Sequence, residues 1–197
     1  MGVSKMVIAK RDLRRVMLVR RATLLARGAE GAGAAALNLP LGPTGAPPWV
    51  AGYRPMGSEL DPGPLLARLA ELGARILLPV VAKRGGPLVF REAGDLAGHV
   101  PDAAGILAPP PTALEAAPDL IIAPLLAFDR SGGRLGYGGG YYDRTVALLR
   151  AGPGVTVVGL AFSGQEVDNV PREPHDQRLD AICTESGYRR LALKDHG

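Results

Sequence analysis

The sequence predicts an α/β protein in three layers, a mostly parallel sheet with helices on both faces. Three observations carry this. Residues 74–81, 120–128 and 155–162 are near-continuous apolar runs rather than alternating ones, the pattern of strands buried on both faces. Segments of helical periodicity separate them, as parallel pairing requires. Gly and Pro, 27 and 18 in 197 residues, punctuate the boundaries without a collagen-like period, so they mark turns. The expected architecture is Rossmann-like, and ligands of such sheets bind beyond the strand carboxyl ends.

From residue 4 to about 27 the pattern is helical. Leu13, Val16, Met17 and Leu24 recur at three- and four-residue spacing, and Lys10, Arg14 and Arg21 share a neighbouring face by the same period. Residues 28–48 are rich in Gly, Ala and Pro and predict a short helix around 34–37, then a loop. Residues 48–55 read as a strand. Asp61 and Pro62 open a helix that runs through Leu72 and stops at Gly73. A strand over 74–81 is followed, after a Gly85-Gly86 turn, by a short strand over 88–91. Residues 94–117 are loop-rich and stiffened by Pro109-Pro110-Pro111. Then come a strand over 120–128, a helix over 143–150, a strand over 155–162, a polar irregular stretch over 163–178 and a last strand over 181–184. No internal repeat or second domain boundary is visible, so residues 1–197 are expected to form a single domain.

The longest uncharged apolar run, 120–128, is far too short to span a bilayer, which excludes a helical membrane protein. The N-terminus is basic but lacks an apolar stretch with a small-residue cleavage site. Cys183 is the single cysteine, so no internal disulfide forms, and a cytoplasmic protein is expected. The net charge of +4 hides an asymmetry: residues 1–27 carry eight Lys/Arg against Asp12, or +7, leaving −3 elsewhere. That segment is a solvated face, a nucleic-acid or membrane surface, or a set of cations aimed at a small polyanion. Composition does not choose among them.

The densest chemistry lies in Arg134-Leu135-Gly136-Tyr137-Gly138-Gly139-Gly140-Tyr141-Tyr142-Asp143, between a predicted strand and a predicted helix. Glycines let backbone N–H groups approach an anion, and the helix N-terminus adds a favourable dipole. Arg134 offers a two-pronged phosphate contact, and Asp143 either holds a metal through oxygen or caps its helix. Tyr141 and Tyr142 have a plainer reading as core residues with satisfied hydroxyls. Asp176 and Asp180, in the loop 171–180, are solvated by default, and one of them meeting Asp143 across Mg²⁺ would suit a bound triphosphate. Asp129 is placed to orient the glycine loop. Glu59 is by default a surface carboxylate. The three histidines show no zinc-like spacing, no Ser or Cys has a nucleophile's setting, and Cys183 reads as a small core residue.

With these residues in view, the chain resembles the 5-formyltetrahydrofolate cyclo-ligase (methenyltetrahydrofolate synthetase) family. The likeness rests on Pro124-Leu125-Leu126-Ala127-Phe128-Asp129, continuing through Arg134 to Asp143 and Arg144. It is supported by Lys10-Arg11-Asp12-Leu13-Arg14 (the family's K-x-x-L-R), by Tyr53-x-Pro55-x-x-x-Glu59, and by the acidic loop with Asp176 and Asp180. It runs in order through most of the chain and departs at 28–48 and at 94–117, where Ala108 precedes the proline run.

The resemblance implies a cytoplasmic, monomeric ligase of folate one-carbon metabolism. It converts 5-formyltetrahydrofolate to 5,10-methenyltetrahydrofolate with ATP and Mg²⁺, releasing ADP and phosphate through phosphorylation of the formyl oxygen. It places ATP against Lys10, Arg11, Asp12, Leu13, Arg14, Arg134, Leu135, Gly136, Tyr137, Gly138, Gly139, Gly140, Tyr141 and Tyr142, with Arg134 and Lys10 catalytic. It places the folate against Arg14, Arg54, Glu59, Tyr137, Gly138, Gly139, Gly140 and Tyr141, and the metal on Asp143 and Asp176. No membrane and no nucleic acid is expected as a partner. The alternative is a non-catalytic nucleotide- or nucleic-acid-binding protein on the same scaffold, against which the basic segment lacks interleaved aromatics.

Overall fold

The computed structural model describes residues 3–28, 31–41 and 45–191. The chain opens with α1 (Val3–Arg27) and α2 (Gly31–Asn38), then β1 (Trp49–Ala51), α3 (Gly63–Glu71), β2 (Arg75–Val80) and β3 (Val89–Glu92). A small antiparallel pair, β4 (Val100–Pro101) and β5 (Leu107–Ala108), precedes β6 (Leu120–Ala123). A second pair, β7 (Ala127–Phe128) and β8 (Arg134–Leu135), leads into α4 (Tyr141–Ala151), after which come β9 (Thr156–Leu160), β10 (Ala181–Thr184) and β11 (Gly187–Arg190).

Seven strands form one sheet in the order β11-β10-β9-β6-β1-β2-β3. The five central strands run parallel, and β3 and β11 pair antiparallel at the edges. The strand order reverses at β1: β2 lies on one side of it, and β6, β9 and β10 extend on the other. A sheet of this kind has its ligand crevice at that reversal, beyond the carboxyl ends of β1 and β6.

The continuous apolar pattern is explained by the two faces. Along β6, Leu120 and Ile122 join a core with Leu65 and Leu69 of α3 and Ala35 and Ala36 of α2. Ile121 and Ala123 join a second core with Val146 and Leu149 of α4. Small residues bring α2 close, since a Cβ at Gly31 would lie 3.1 Å from the Phe162 ring. Cys183 is enclosed in the first core, its thiol pushed up to about 11 by burial. The α3 boundaries follow the local code: Asp61 Oδ1 accepts the Gly63 N–H at 2.9 Å, and Gly73 takes φ +92° beyond the C-terminus.

Four expectations need correction. The strand expected over 120–128 ends at Ala123, because Pro124 has no N–H to donate to a ladder. The chain leaves the sheet there, and Ala127 and Phe128 pair with Leu135 and Arg134, so a hairpin intervenes between sheet and glycine loop. The loop-rich 94–117 segment contains the β4–β5 pair, and β11 follows the strand expected to be last. Val16, expected on the apolar stripe of α1, is 57% exposed, whereas Lys10, Met17 and Arg21 are buried.

The β7–β8 hairpin is organised by Asp129, which is almost fully buried. Oδ1 accepts from Ser131 N, Ser131 Oγ and Gly133 N at 2.8, 2.6 and 2.9 Å, and Oδ2 from Val170 N at 2.8 Å. Burial opposes ionisation of Asp129, but these donors outweigh it and hold the carboxyl below its ordinary value. Asp129→Asn is expected to lower the free energy of unfolding by about 1–3 kcal/mol at neutral pH, as read by urea titration. Because the folded-state value is depressed, the carboxylate's contribution is complete above the ordinary 3.8 and fades as the pH falls through the folded value. The difference between the two proteins therefore narrows below that pH.

Candidate active site

A cavity of about 370 Å³ opens beyond the carboxyl ends of β1 and β6. Its walls are of two kinds. Leu78, Val81, Leu88, Ile106, Leu107 and Pro124 form apolar surface, and Lys10, Arg14, Arg134, Asp143, Glu173 and Asp176 supply charge.

Lys10 and Arg14 come from α1, where a spacing of four places both on one face. Arg11 and Asp12 are exposed and do not line the cavity, and Leu13 packs on the β7–β8 hairpin. A helix presents one face to a ligand, so the contiguous stretch 10–14 narrows at the cavity to Lys10 and Arg14. Lys10 Nζ lies 2.7 Å from Glu173 Oε2 and 2.5 Å from Asp176 Oδ2. Burial works against its charge, but these hydrogen bonds prevail and hold the ammonium above its usual value.

Arg14 Nε donates to Gly136 O at 2.8 Å, and Arg144 Nη2 donates to Gly139 O at 2.7 Å, so two arginines strap the glycine loop. Arg144 also reaches Gly86 O in the β2–β3 turn at 3.3 Å. Gly138 has φ +99°, and a Cβ there would sit 3.2 Å from Arg14 Cζ. Gly140, at φ +65°, ends the loop where α4 begins with no side-chain cap. The N–H groups of its first turn lie at the cavity end without a side-chain partner to cap them.

Asp143 does not cap its helix. Its Oδ1 accepts from Arg134 Nη2 at 2.9 Å and from Gln177 N at 3.1 Å, which ties it to the loop that carries Asp176. Arg134 lies over the Tyr142 ring at 5.3 Å. Tyr141 and Tyr142 both line the cavity and pack against the α4-side core. Glu173, His175 and Asp176 each offer a ligand atom within 4.8 Å of the others. Glu173 has no signal in the sequence, where His175 shows no zinc-like spacing. Asp180 is elsewhere: it holds Arg150 at the end of α4 and the Val157 N–H at the start of β9.

On the other wall, Arg54 Nη1 donates to His99 Nδ1 at 3.0 Å, and His99 Nε2 donates to Ala93 O at 2.7 Å. Glu59 is not a surface carboxylate: it is 6% exposed, its Oε2 accepts from Met56 N at 2.8 Å, and Oε1 lies 3.6 Å from Arg21 Nη1. Burial raises its proton affinity, and the Met56 N–H and the Arg21 charge oppose that. Arg14 and Arg54 have no carboxylate partner among the described residues, unlike Lys10 and Arg134.

The sequence model of one family, 5-formyltetrahydrofolate cyclo-ligase, matches residues 7–185. The chain belongs to this family. Two similar cyclo-ligases are those of Mycolicibacterium smegmatis, 40% identical over 68% of this chain and 72% of that protein, and Escherichia coli, 35% identical over 70% and 78%. The fold is similar to the NMR structure of Aquifex aeolicus 5,10-methenyltetrahydrofolate synthetase, with a TM-score of 0.74 and 30% identity over 95% of this chain and 94% of that one. The family resemblance and the α/β class expected from sequence are both borne out, and membership makes the chain an enzyme, a ligase.

The glycine loop gives a direct test. Gly138→Ala forces a Cβ into a left-handed conformation and against Arg14. It is expected to cost about 1–2 kcal/mol of stability in a denaturant titration. It should also weaken nucleotide binding measured by calorimetry, whereas Gly98→Ala, which meets nothing within 4 Å, leaves binding unchanged.

Proposed function

We propose that the protein converts 5-formyltetrahydrofolate and ATP to 5,10-methenyltetrahydrofolate, ADP and phosphate in this cavity. The observation that carries the reading is the convergence of Lys10, Arg14, Arg134 and the α4 N-terminus around the glycine loop. Fixed cations and backbone N–H groups on one wall suit a triphosphate, and the apolar surface beside them suits a planar ring system. Family membership supports the same assignment.

The formyl oxygen belongs to an amide and is a weak nucleophile, so it must be held in line with the γ-phosphorus at about 3–3.5 Å. It attacks phosphorus, and ADP leaves. The formyl carbon is then electrophilic; the folate N10 attacks it, loses its proton, and phosphate departs to leave the methenyl bridge. No protein nucleophile is needed. In this scheme Arg134 and Lys10 offset charge on the transferring phosphoryl group, and Arg14 bridges the phosphates and the glycine loop. Arg54, Glu59 and Tyr137 orient the folate.

The donor chemistry fits the Mg²⁺ that the family implies: Asp143 and Asp176 line one cavity and offer carboxylate oxygens to a hard cation, with Glu173 beside Asp176. Asp143 and Asp176 would hold it, and its charge would further neutralise the phosphate oxygens. The nucleic-acid alternative loses support from the placement of the basic segment: Lys10, Arg14 and Arg21 turn inward, leaving Arg11, Arg15, Arg20 and Arg27 exposed.

The test is the near-ultraviolet absorbance of the methenyl product formed from 5-formyltetrahydrofolate, Mg²⁺ and ATP. Arg134→Ala is expected to lower kcat by about 100-fold or more. Arg20→Ala, on the exposed side of α1, should match the unaltered enzyme. Equal rates in both variants would remove Arg134 from the phosphate site. Asp143→Asn is expected to raise the Mg²⁺ concentration for half-maximal rate, and an unchanged titration would take Asp143 out of the metal site.

A further inference from the structure

Arg21 is 1% exposed and does not itself line the cavity. A guanidinium withdrawn from water needs a partner for each of its donors. Arg21 finds partners on three separate segments. Nε donates to Ser58 Oγ at 3.1 Å and Nη1 lies 3.6 Å from Glu59 Oε1, both in the loop between β1 and α3. Nη1 donates to Leu125 O at 3.2 Å, just beyond β6. Nη2 donates to the Tyr137 hydroxyl in the glycine loop, and the guanidinium lies 5.5 Å from that ring's centroid. Glu59 and Tyr137 are both cavity wall.

Two half-buried arginines do different work. Arg68 donates to Ala36 O and Leu39 O at the end of α2, and Arg150 holds Asp180 and Arg178 O, all outside the cavity wall. Arg21 alone of these joins the two strand ends of the ligand crevice to the glycine loop. Tyr137 is 49% exposed, so its ring has little packing of its own and depends on the bond at its hydroxyl for its place.

We propose that Arg21 is a positioning residue for the folate side of the site: acting through Glu59 and Tyr137, it sets the wall against which the folate is held. This rests on the reading above that Glu59 and Tyr137 face the folate. Arg21 is also the cation in contact with Glu59. The charge of Glu59 is also felt by the phenols of Tyr53 and Tyr142, and burial, the larger cause, raises both above their ordinary value. Without Arg21, burial of Glu59 would be opposed only by the Met56 N–H, and the carboxyl would take up a proton at a higher pH.

The experiment is steady-state kinetics against pH for Arg21→Met, Arg21→Lys and Glu59→Gln, with a thermal melt of each. For Arg21→Met the KM for 5-formyltetrahydrofolate should rise about tenfold, since hydrogen bonds to a charged group are lost. The KM for ATP should rise less than that for the folate, because Glu59 is placed against the folate alone, and the acid limb of kcat/KM for the folate should move to higher pH. Arg21→Lys keeps the charge without the fork, so the acid limb stays near its original position while the folate KM remains raised. A lower melting temperature with unchanged folate KM and acid limb would show a merely structural arginine and overturn the proposal. Should Arg21→Met fail to fold, an unchanged folate KM in Arg21→Lys overturns it equally. Glu59→Gln separates the two levels: a raised folate KM there with an unchanged one in Arg21→Met sinks the role of Arg21 alone. An unchanged KM in Glu59→Gln sinks the folate-side reading and this proposal with it.

Discussion

Three cations on one face of α1, Lys10, Arg14 and Arg21, are drawn away from water, and the site is assembled from the groups that compensate them. Withdrawing an ion from water costs several kcal/mol unless partners replace its hydration. Lys10 takes Glu173 and Asp176, Arg14 takes the Gly136 carbonyl, and Arg21 takes Glu59, Ser58, Leu125 O and Tyr137. These partners lie on four connections at the carboxyl end of the sheet. A helix that lies outside the sheet thereby draws the acidic loop, the glycine loop and the loop after β1 into one place. It also explains why α1 exposes Val16 and Val19: the face that a soluble helix ordinarily gives to apolar side chains is here given largely to charge.

The glycine loop answers the same constraint from the other side. Its residues are small because arginine side chains, rather than a ligand alone, lie against its backbone. Arg14 presses on Gly138 and Arg144 on Gly140, and each guanidinium also takes a loop carbonyl. Two of the loop carbonyls are thereby engaged by arginines, and the first-turn amides of α4 carry no side-chain cap. The β7–β8 hairpin ahead of it, clamped by Asp129, fixes where the loop starts. Loop and sheet are therefore joined through a rigid turn, not through the direct strand-to-helix step of a dinucleotide-binding fold.

The reversal of strand order supplies the remaining constraint. Because β1 and β6 are neighbours whose chains depart in opposite directions, their carboxyl ends leave a gap that no crossover helix fills. Tyr53 and Arg54 leave β1 and Pro124 leaves β6 at that gap, and the cavity occupies it. The apolar wall from β2 and the β4–β5 pair then sets it apart from the charged wall of α1.

Sequence by itself determined whatever depends on neighbours in the chain. The parallel class followed from unbroken apolar runs, α3 from Asp61, Pro62 and Gly73, and the glycine loop from its own composition. The spacing of Lys10, Arg14 and Arg21 already put them on one face. Tertiary structure alone decided where that face points and what meets it. Lys10 and Asp176 are 166 residues apart and Arg21 and Tyr137 are 116 apart, and no local pattern encodes such pairings. For the same reason Glu59, a plain polar residue in the sequence, became a buried carboxylate, and Arg11 and Asp12 fell away from the cavity. A local code sets the conformation of a segment. The burial of a charge is set by which distant segments must come together to compensate it.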